Sequence, residues 1–245
     1  MPEISAILFD KDGTLFDFEA SWAAWTHGLI EDLSGGSPAT GAALAEAFGF
    51  DLARRRFLPS SPVIAGTFED VCAAVAPLLP GLPADELALR VNAGAAAAPM
   101  VPSTPLAPLL ARLRAAGLKL GVATNATAAE ATAHLQAAGI AAAFDYVAGC
   151  DTGHGAKPGP GMCLAFAAGM GLDPAAVLMV GDSLHDLHAG RAAGMRVMGV
   201  LSGVATEDDL APHADAVLPH IGHLPDWLEA DRAGAGRLGA PAEPR

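Results

Sequence analysis

Basic residues are scarce in this chain. Its 245 residues hold 14 Lys and Arg against 27 Asp and Glu, a formal net charge of −13, and only three of the bases are lysines, at Lys11, Lys119 and Lys157. A broad grip on nucleic acid or on an anionic membrane needs a basic face, so neither partner is expected. Scarcity also makes the position of each lysine informative. Cysteine is almost as rare: Cys72, Cys150 and Cys163 are far apart, odd in number and in no CxxC pair. That usage fits free thiols in a reducing compartment, so the expected localisation is cytoplasmic. Long apolar runs are missing too, although 52% of the residues are hydrophobic. The longest uncharged stretch, Val91–Ala111, contains Asn92 and prolines at 99, 102, 105 and 108, which prevents a continuous spanning helix. The start, MPEISAILFDKDG, has no basic region and too short an apolar one for a signal peptide.

What is present is an alternation of short apolar runs and helical stretches. Runs at Ile4–Phe9, Lys119–Ala123, Tyr146–Ala148, Val177–Val180, Val197–Leu201 and Ala216–Leu218 read as buried strands. Between them, Leu106–Ala116, Thr127–Ala138, Gly161–Gly169 and Leu184–Ala193 read as helices, three of them stopping at Gly117, Gly139 and Gly194. Ser103 and Thr104 are candidate caps for the first. This order predicts an α/β fold with a mostly parallel, doubly wound sheet. Residues 16–100 break the alternation. They offer helices near Ala20–Leu33, Ala42–Arg56, Phe68–Leu79 and Asp85–Ala97 and no convincing strand. The expected division is a core of residues 1–15 and 101–230, an inserted all-helical module at 16–100, and a flexible Pro/Gly-rich tail at 231–245.

In an open parallel sheet, ligands gather beyond the carboxyl ends of the strands. There the chain places Asp10, Asp12, Gly13 and Thr14 after the first strand, Thr124 and Asn125 after the second, and Asp182 and Asp186 after Val177–Val180, with Lys157 in an adjoining loop. A carboxylate such as Asp10 can attack phosphorus and divide a hard step into two. Asp12 can protonate a leaving oxygen and later activate water. Gly13 allows a sharp turn close to a ligand. So many carboxylates repel one another and a phosphate; Mg²⁺ bound by Asp10 and Asp182, with Asp186 in support, resolves this. Thr124 and Lys157 suit phosphoryl oxygens. Each piece alone has a plainer reading: an Asx turn, a helix cap, a solvated lysine. Together and in this order they are specific.

The segments DKDGTL (Asp10–Leu15), Thr124–Asn125, KPGP (Lys157–Pro160) and GDSLHD (Gly181–Asp186) resemble motifs one to four of the haloacid dehalogenase superfamily. The resemblance covers residues 4–15 and 101–222 and implies a Rossmann-like core and an aspartyl-phosphate mechanism. It implies Asp10 as nucleophile and Mg²⁺ ligand, and Asp12 as acid/base and, through its backbone carbonyl, a Mg²⁺ ligand. It further implies Thr124, Asn125 and Lys157 as phosphate binders, Asp182 as a metal ligand, and residues 16–100 as a helical cap. Asp12 argues against the dehalogenases, and Thr14 with Thr124–Asn125 against the β-phosphoglucomutases. The remaining likeness is to phosphoglycolate phosphatases, with Lys11 standing where an apolar residue is usual. The expected activity is Mg²⁺-dependent hydrolysis of a small phosphomonoester, 2-phosphoglycolate being the first candidate. The alternatives are a phosphomutase and a non-catalytic sensor of a phosphorylated ligand.

In the insertion, Arg54–Arg55–Arg56 offers a counter-charge for a second substrate anion or else a solvated helix face. Trp22 and Trp25, three apart, are core or lid. His185 and His188 flank the last acidic motif, and His154 lies near Lys157; none is needed as a metal ligand.

Overall fold

The computed structural model describes residues 2–234. Strand β1 (Ala6–Phe9) is followed by α1 (Phe18–Ser34), α2 (Pro38–Phe48), the paired strands β2 (Phe50–Asp51) and β3 (Arg56–Phe57), α3 (Pro62–Ala65), α4 (Phe68–Val75) and α5 (Ala84–Ala96). The chain then alternates through α6 (Leu106–Ala115), β4 (Lys119–Ala123), α7 (Ala128–Ala137), β5 (Tyr146–Ala148), α8 (Gly161–Met170), β6 (Val177–Gly181) and α9 (Leu184–Ala192). It ends in β7 (Arg196–Val200), α10 (Glu207–Leu210), β8 (Ala216–Leu218) and α11 (Leu224–Arg232).

Six strands form one sheet in the order β5-β4-β1-β6-β7-β8, every neighbouring pair parallel. The fold is α/β and doubly wound, as the alternation predicts. Both faces of the sheet are covered, which is why its strands are apolar throughout rather than alternating. Ile7 and Phe9 face one core cluster with Leu110 and Leu113 of α6 and Leu224 and Leu228 of α11. Ala6 and Leu8 face the other, with Phe166 of α8 and Leu187 of α9. Strand order reverses direction between β1 and β6, so the crevice for a ligand opens beyond Phe9 and Gly181.

A third apolar cluster is built almost wholly from the insertion, including Phe18, Trp22, Ile30, Leu44, Phe48 and Phe57. Here the expectation of an all-helical segment needs correction. α2 stops at Phe48, because Gly49 adopts the left-handed conformation (φ 59°) and its N–H closes on the carbonyls of Ala45 and Glu46. The expected helix over Ala42–Arg56 is therefore half hairpin, and Arg54–Arg55–Arg56 lies on its turn and return strand, with Arg55 at φ 51°. Ser103 does not cap α6, which is entered through Pro105. Its hydroxyl donates instead to the carbonyls of Thr14 (2.7 Å) and Leu15 (3.1 Å), tying the return from the insertion to the loop after β1.

α11 has no counterpart in the sequence reading and runs past Asp231, where the tail was expected to begin. Asp231 accepts a two-pronged bond from Arg196 at 2.6 and 2.8 Å, which anchors the end of the helix to β7. Most of the expected tail, residues 235–245, lies outside the described residues. Among those described, no helix is long and apolar enough to cross a membrane.

Candidate active site

β1 delivers Asp10 to the crevice, and its Oδ1 accepts a 2.6 Å bond from Lys157 Nζ. The remaining ammonium protons go to Asp186 Oδ1 (2.6 Å) and the Ala123 carbonyl (2.8 Å), so all three donors of Lys157 are used. Burial works against its charge, but Asp10 and Asp186 outweigh it and hold the ammonium above its ordinary range. Asp10 moves oppositely: burial, reinforced by Asp186 and Asp12 and opposed by Lys157, raises its pKa from 3.8 to about 7.

Across the crevice, β6 delivers Asp182. Its Oδ1 has only a long contact with Thr14 Oγ1 (3.4 Å), and its buried Oδ2 has no hydrogen-bond partner. Burial, then the neighbouring carboxylates of Asp10 and Asp186, lifts its pKa well above the usual range. A Cβ at Gly13 would run into this carboxylate, and Gly13 holds φ 80°; glycine is needed there on both counts. Oxygens of Asp10, Asp182 and Asp186 lie within 4.8 Å of one another, all buried, with one lysine among them. An orphaned oxygen facing a like-charged cluster fits an oxygen-liganded divalent cation. Asp186 has less to offer it, because Oδ1 is held by Lys157 and Oδ2 accepts from Ser183 N (3.1 Å) and Oγ (2.7 Å) in a capping box on α9. The helix cap at GDS and the placement of Asp186 beside Asp10 and Asp182 thus belong to one structure.

The loop after β4 is equally tied. Thr124 is buried and its hydroxyl accepts from Ala126 N (3.1 Å). Asn125 clamps the Lys157 backbone, donating to its carbonyl (3.0 Å) and accepting from its N–H (2.8 Å). Every core residue singled out from the sequence thus lies at one edge of the sheet.

Asp12 points away from the acidic cluster, toward the insertion. Its Oδ1 accepts from Trp22 Nε1 of α1 (2.9 Å), and its Oδ2 faces Lys11 Nζ (3.2 Å). Lys11 is fully buried. It also donates to Glu130 Oε1 (2.7 Å) and to His134 Nδ1 (2.8 Å) of α7, and lies 5.5 Å from the Trp22 ring centre. Burial opposes its charge, yet Asp12 and Glu130 prevail and hold it above the lysine range. An ammonium on Nδ1 makes that nitrogen an acceptor and leaves the proton on Nε2, which donates to Ala95 O of α5 at 2.9 Å. Burial and then the Lys11 charge push the His134 pKa down from 6.5 to about 4. Sequence reasoning left Lys11 open and missed Glu130 and His134. The available signal was their i,i+4 spacing in an otherwise small and apolar helix.

Above these groups the insertion roofs a cavity of about 730 Å³, open mouth included, lined by Asp10, Asp12, Thr124, Asn125, Lys157 and Asp186 below and by Phe18, Trp22, Trp25, Val63, Ile64 and Val71 above. Trp22 is both core and lid: it belongs to the insertion's apolar cluster and touches Asp12. Arg54, Arg55 and Arg56 are exposed and do not line the cavity, and Arg54 pairs with Asp51 at 2.9 Å. His185 lines it, whereas His154 and His188 are exposed, the latter ring against His213.

This arrangement agrees with the comparisons. Residues 4–194 match the family model described as haloacid dehalogenase-like hydrolase. The chain belongs to that family. It is 30% identical to N-acetylmuramic acid 6-phosphate phosphatase of Pseudomonas aeruginosa over 92% of its own length and 95% of that protein's. A shorter match, 36% identical over 38% of this chain and 39% of the other, is to phosphoglycolate phosphatase of Rhodospirillum rubrum. The crystal structure of a predicted phosphoglycolate phosphatase from Haemophilus somnus superposes with a TM-score of 0.71 at 20% identity, covering 92% of this chain and 98% of that one, a likeness of fold. Within the family, this hydrolase is a phosphoric monoester hydrolase.

Proposed function

We propose that the chain is a Mg²⁺-dependent phosphatase that hydrolyses a small phosphomonoester through an aspartyl-phosphate at Asp10. The observation that carries this is Asp10, held 2.6 Å from Lys157 and opposite the unpartnered Oδ2 of Asp182 at the point where the strand order reverses. Asp10 Oδ attacks phosphorus as the ester bond to the leaving oxygen breaks, and Asp12 supplies that oxygen with a proton. In the second half, Asp12 takes a proton from water, whose oxygen attacks the acyl-phosphate and frees Asp10. Trp22 and Lys11 fix the Asp12 carboxylate for both transfers. Lys157 and Thr124 receive phosphoryl oxygens, and Asn125 acts through the Lys157 backbone it clamps. Asp10, Asp182 and the Asp12 backbone carbonyl would hold Mg²⁺, with Asp186 in support. The cation, when bound, offsets the negative charge of carboxylates and phosphate together.

In this reading residues 16–100 are a cap over a core of residues 1–15 and 101–230, with their own apolar cluster in support. The relatives' names suggest 2-phosphoglycolate and N-acetylmuramic acid 6-phosphate as first esters to assay. Cytoplasmic residence and the absence of a nucleic-acid or membrane partner remain the readings that three free thiols and a net charge of −13 support. The test is phosphate release from an alkyl phosphate with Mg²⁺ or with EDTA, in the wild type and in Asp10→Asn. Activity should vanish with either change, and activity indifferent to both overturns the proposal. Transfer of the phosphoryl group to a second sugar hydroxyl instead of water would establish the phosphomutase alternative.

A further inference from the structure

Hydrolysis at Asp10 leaves open what the phosphate is attached to, and the roof of the cavity bears on that. Among the described residues lining it, the sole lysine or arginine is Lys157, whose donors are committed to the floor. The roof is mainly Phe18, Trp22, Trp25, Val63, Ile64 and Val71, and the hydroxyl of its polar member, Thr67, is spent on Asp70 (2.8 Å). The arginines nearest in sequence are elsewhere: Arg54, Arg55 and Arg56 are exposed on the hairpin, and Arg90 pairs with Glu86 at 2.6 Å. The acid that lines the cavity beside the roof, Glu130, is already paired with the buried Lys11 at 2.7 Å, and His185 has Asp70 of α4 as its acidic neighbour.

A carboxylate or second phosphate on the substrate would enter this roof without a counter-charge, and burying an unpaired anion is strongly unfavourable. A neutral group with a flat apolar face meets the opposite reception. The rings of Trp22 and Trp25 stand edge to face, 5.2 Å between centres, and both line the cavity. Trp22 is fixed by its bond to Asp12. Trp25 is half-buried and lines the cavity beside it, so its ring is placed to meet the substrate. We infer that the enzyme takes phosphomonoesters of a neutral ring, aromatic or sugar, whose apolar face packs on Trp25 and Trp22, in preference to short phosphoesters bearing a second anion such as 2-phosphoglycolate. This rests on the phosphatase reading and narrows its substrate.

The experiment compares kcat/KM of the Mg²⁺-loaded enzyme for benzyl phosphate, glucose 6-phosphate and 2-phosphoglycolate. All three release an alkoxide from a CH₂ group, so the comparison weighs the roof more than the leaving group. At least one ring ester should exceed 2-phosphoglycolate by about tenfold or more, the scale of one well-packed contact. Benzyl phosphate ahead identifies an aryl occupant, and glucose 6-phosphate ahead a sugar. Trp25→Ala should bring the ratio toward one, Trp25→Phe should restore it, and Val71→Arg, which adds the missing cation, should move it toward the carboxylate ester. A wild type that prefers 2-phosphoglycolate, or a ring preference that survives Trp25→Ala and Val71→Arg, overturns this inference alone. Phosphate release from none of the esters, or release untouched by Asp10→Asn, overturns the phosphatase reading and this inference with it.

Discussion

The floor and the roof of the cavity are made in opposite ways. The floor collects Asp10, Thr124, Lys157 and Asp182 from separate strand ends and loops; Lys157 is bonded to Asp10, Asp186 and the Ala123 carbonyl, and Asp182 Oδ2 is left without a partner. The roof comes from one continuous stretch, Phe18–Ala95, and presents aromatic and aliphatic carbon. A floor fixed by mutual charge can serve one reaction with many esters, because it touches only what they share. A roof of carbon has no such obligation, and its shape can change without disturbing the chemistry below. Substitutions in the two regions should therefore differ in kind as well as in size.

The sharpest break between them is at Asp10. Asp10→Asn should lower kcat by about three orders of magnitude or more for every ester alike, since nucleophile losses fall on the common step. Steady-state kinetics on ring-bearing and acidic esters check this, and a loss confined to one ester would place Asp10 among the selecting groups instead.

Next in size is the seam that joins the regions. Lys11→Met leaves buried Glu130 and half-buried Asp12 without their cation, and breaking a buried pair such as Lys11–Glu130 costs about 3–5 kcal/mol. Urea unfolding should show it, and adding Glu130→Gln should recover part of the loss. If the double variant is no more stable than the single, the pair contributes little to holding floor and roof together.

The same seam gives a pH signature. His134 titrates near 6.5 when unfolded and near 4 when folded, so the folded protein binds fewer protons. Its contribution is complete above pH 6.5 and is lost as pH falls toward about 4, up to about 3 kcal/mol. Asp10 has the reverse sign in the metal-free enzyme. Its folded pKa of about 7 lies above the unfolded 3.8, so its contribution is complete below 3.8 and lost as pH rises through 7. Between about pH 4 and 6.5 the two slopes oppose each other, so unfolding midpoints in EDTA should change little there on account of these two groups. His134→Gln should leave the Asp10 slope alone, a midpoint that falls as pH rises, while saturating Mg²⁺ should leave the His134 slope alone, a midpoint that rises.

The contrast also governs what the sequence discloses. Asp10, Thr124 and Asp182 stand one or two positions past an apolar run, so the strand pattern points to them, and Lys157 was legible as one of only three lysines in the chain. Lys11 was visible as an oddity, but its partners lie 119 and 123 residues away on α7, and no local pattern carries that pairing. The roof has no polar signature, because Val63, Ile64 and Val71 look the same in any core. The hairpin was missed because two-residue strands carry no period, and a helix-compatible run hid the one decisive residue, Gly49.

The smallest effect belongs to the residues that looked most like a substrate clamp. Arg54, Arg55 and Arg56 were the only cluster of cations in a cation-poor insertion, and a helix would have brought one or two of them toward the site. Gly49 ends the helix first, and the hairpin carries all three into solvent, where Arg54 pairs with Asp51. Exposed pairs contribute little. Arg54→Ala and Arg56→Ala should leave KM for each ester within about twofold of wild type and the unfolding midpoint nearly unchanged. Selective loss of activity on an acidic ester in either variant would mean that the hairpin folds over the mouth during turnover. The roof would then own a cation after all, and its apparent neutrality would belong to one position of the cap rather than to its composition.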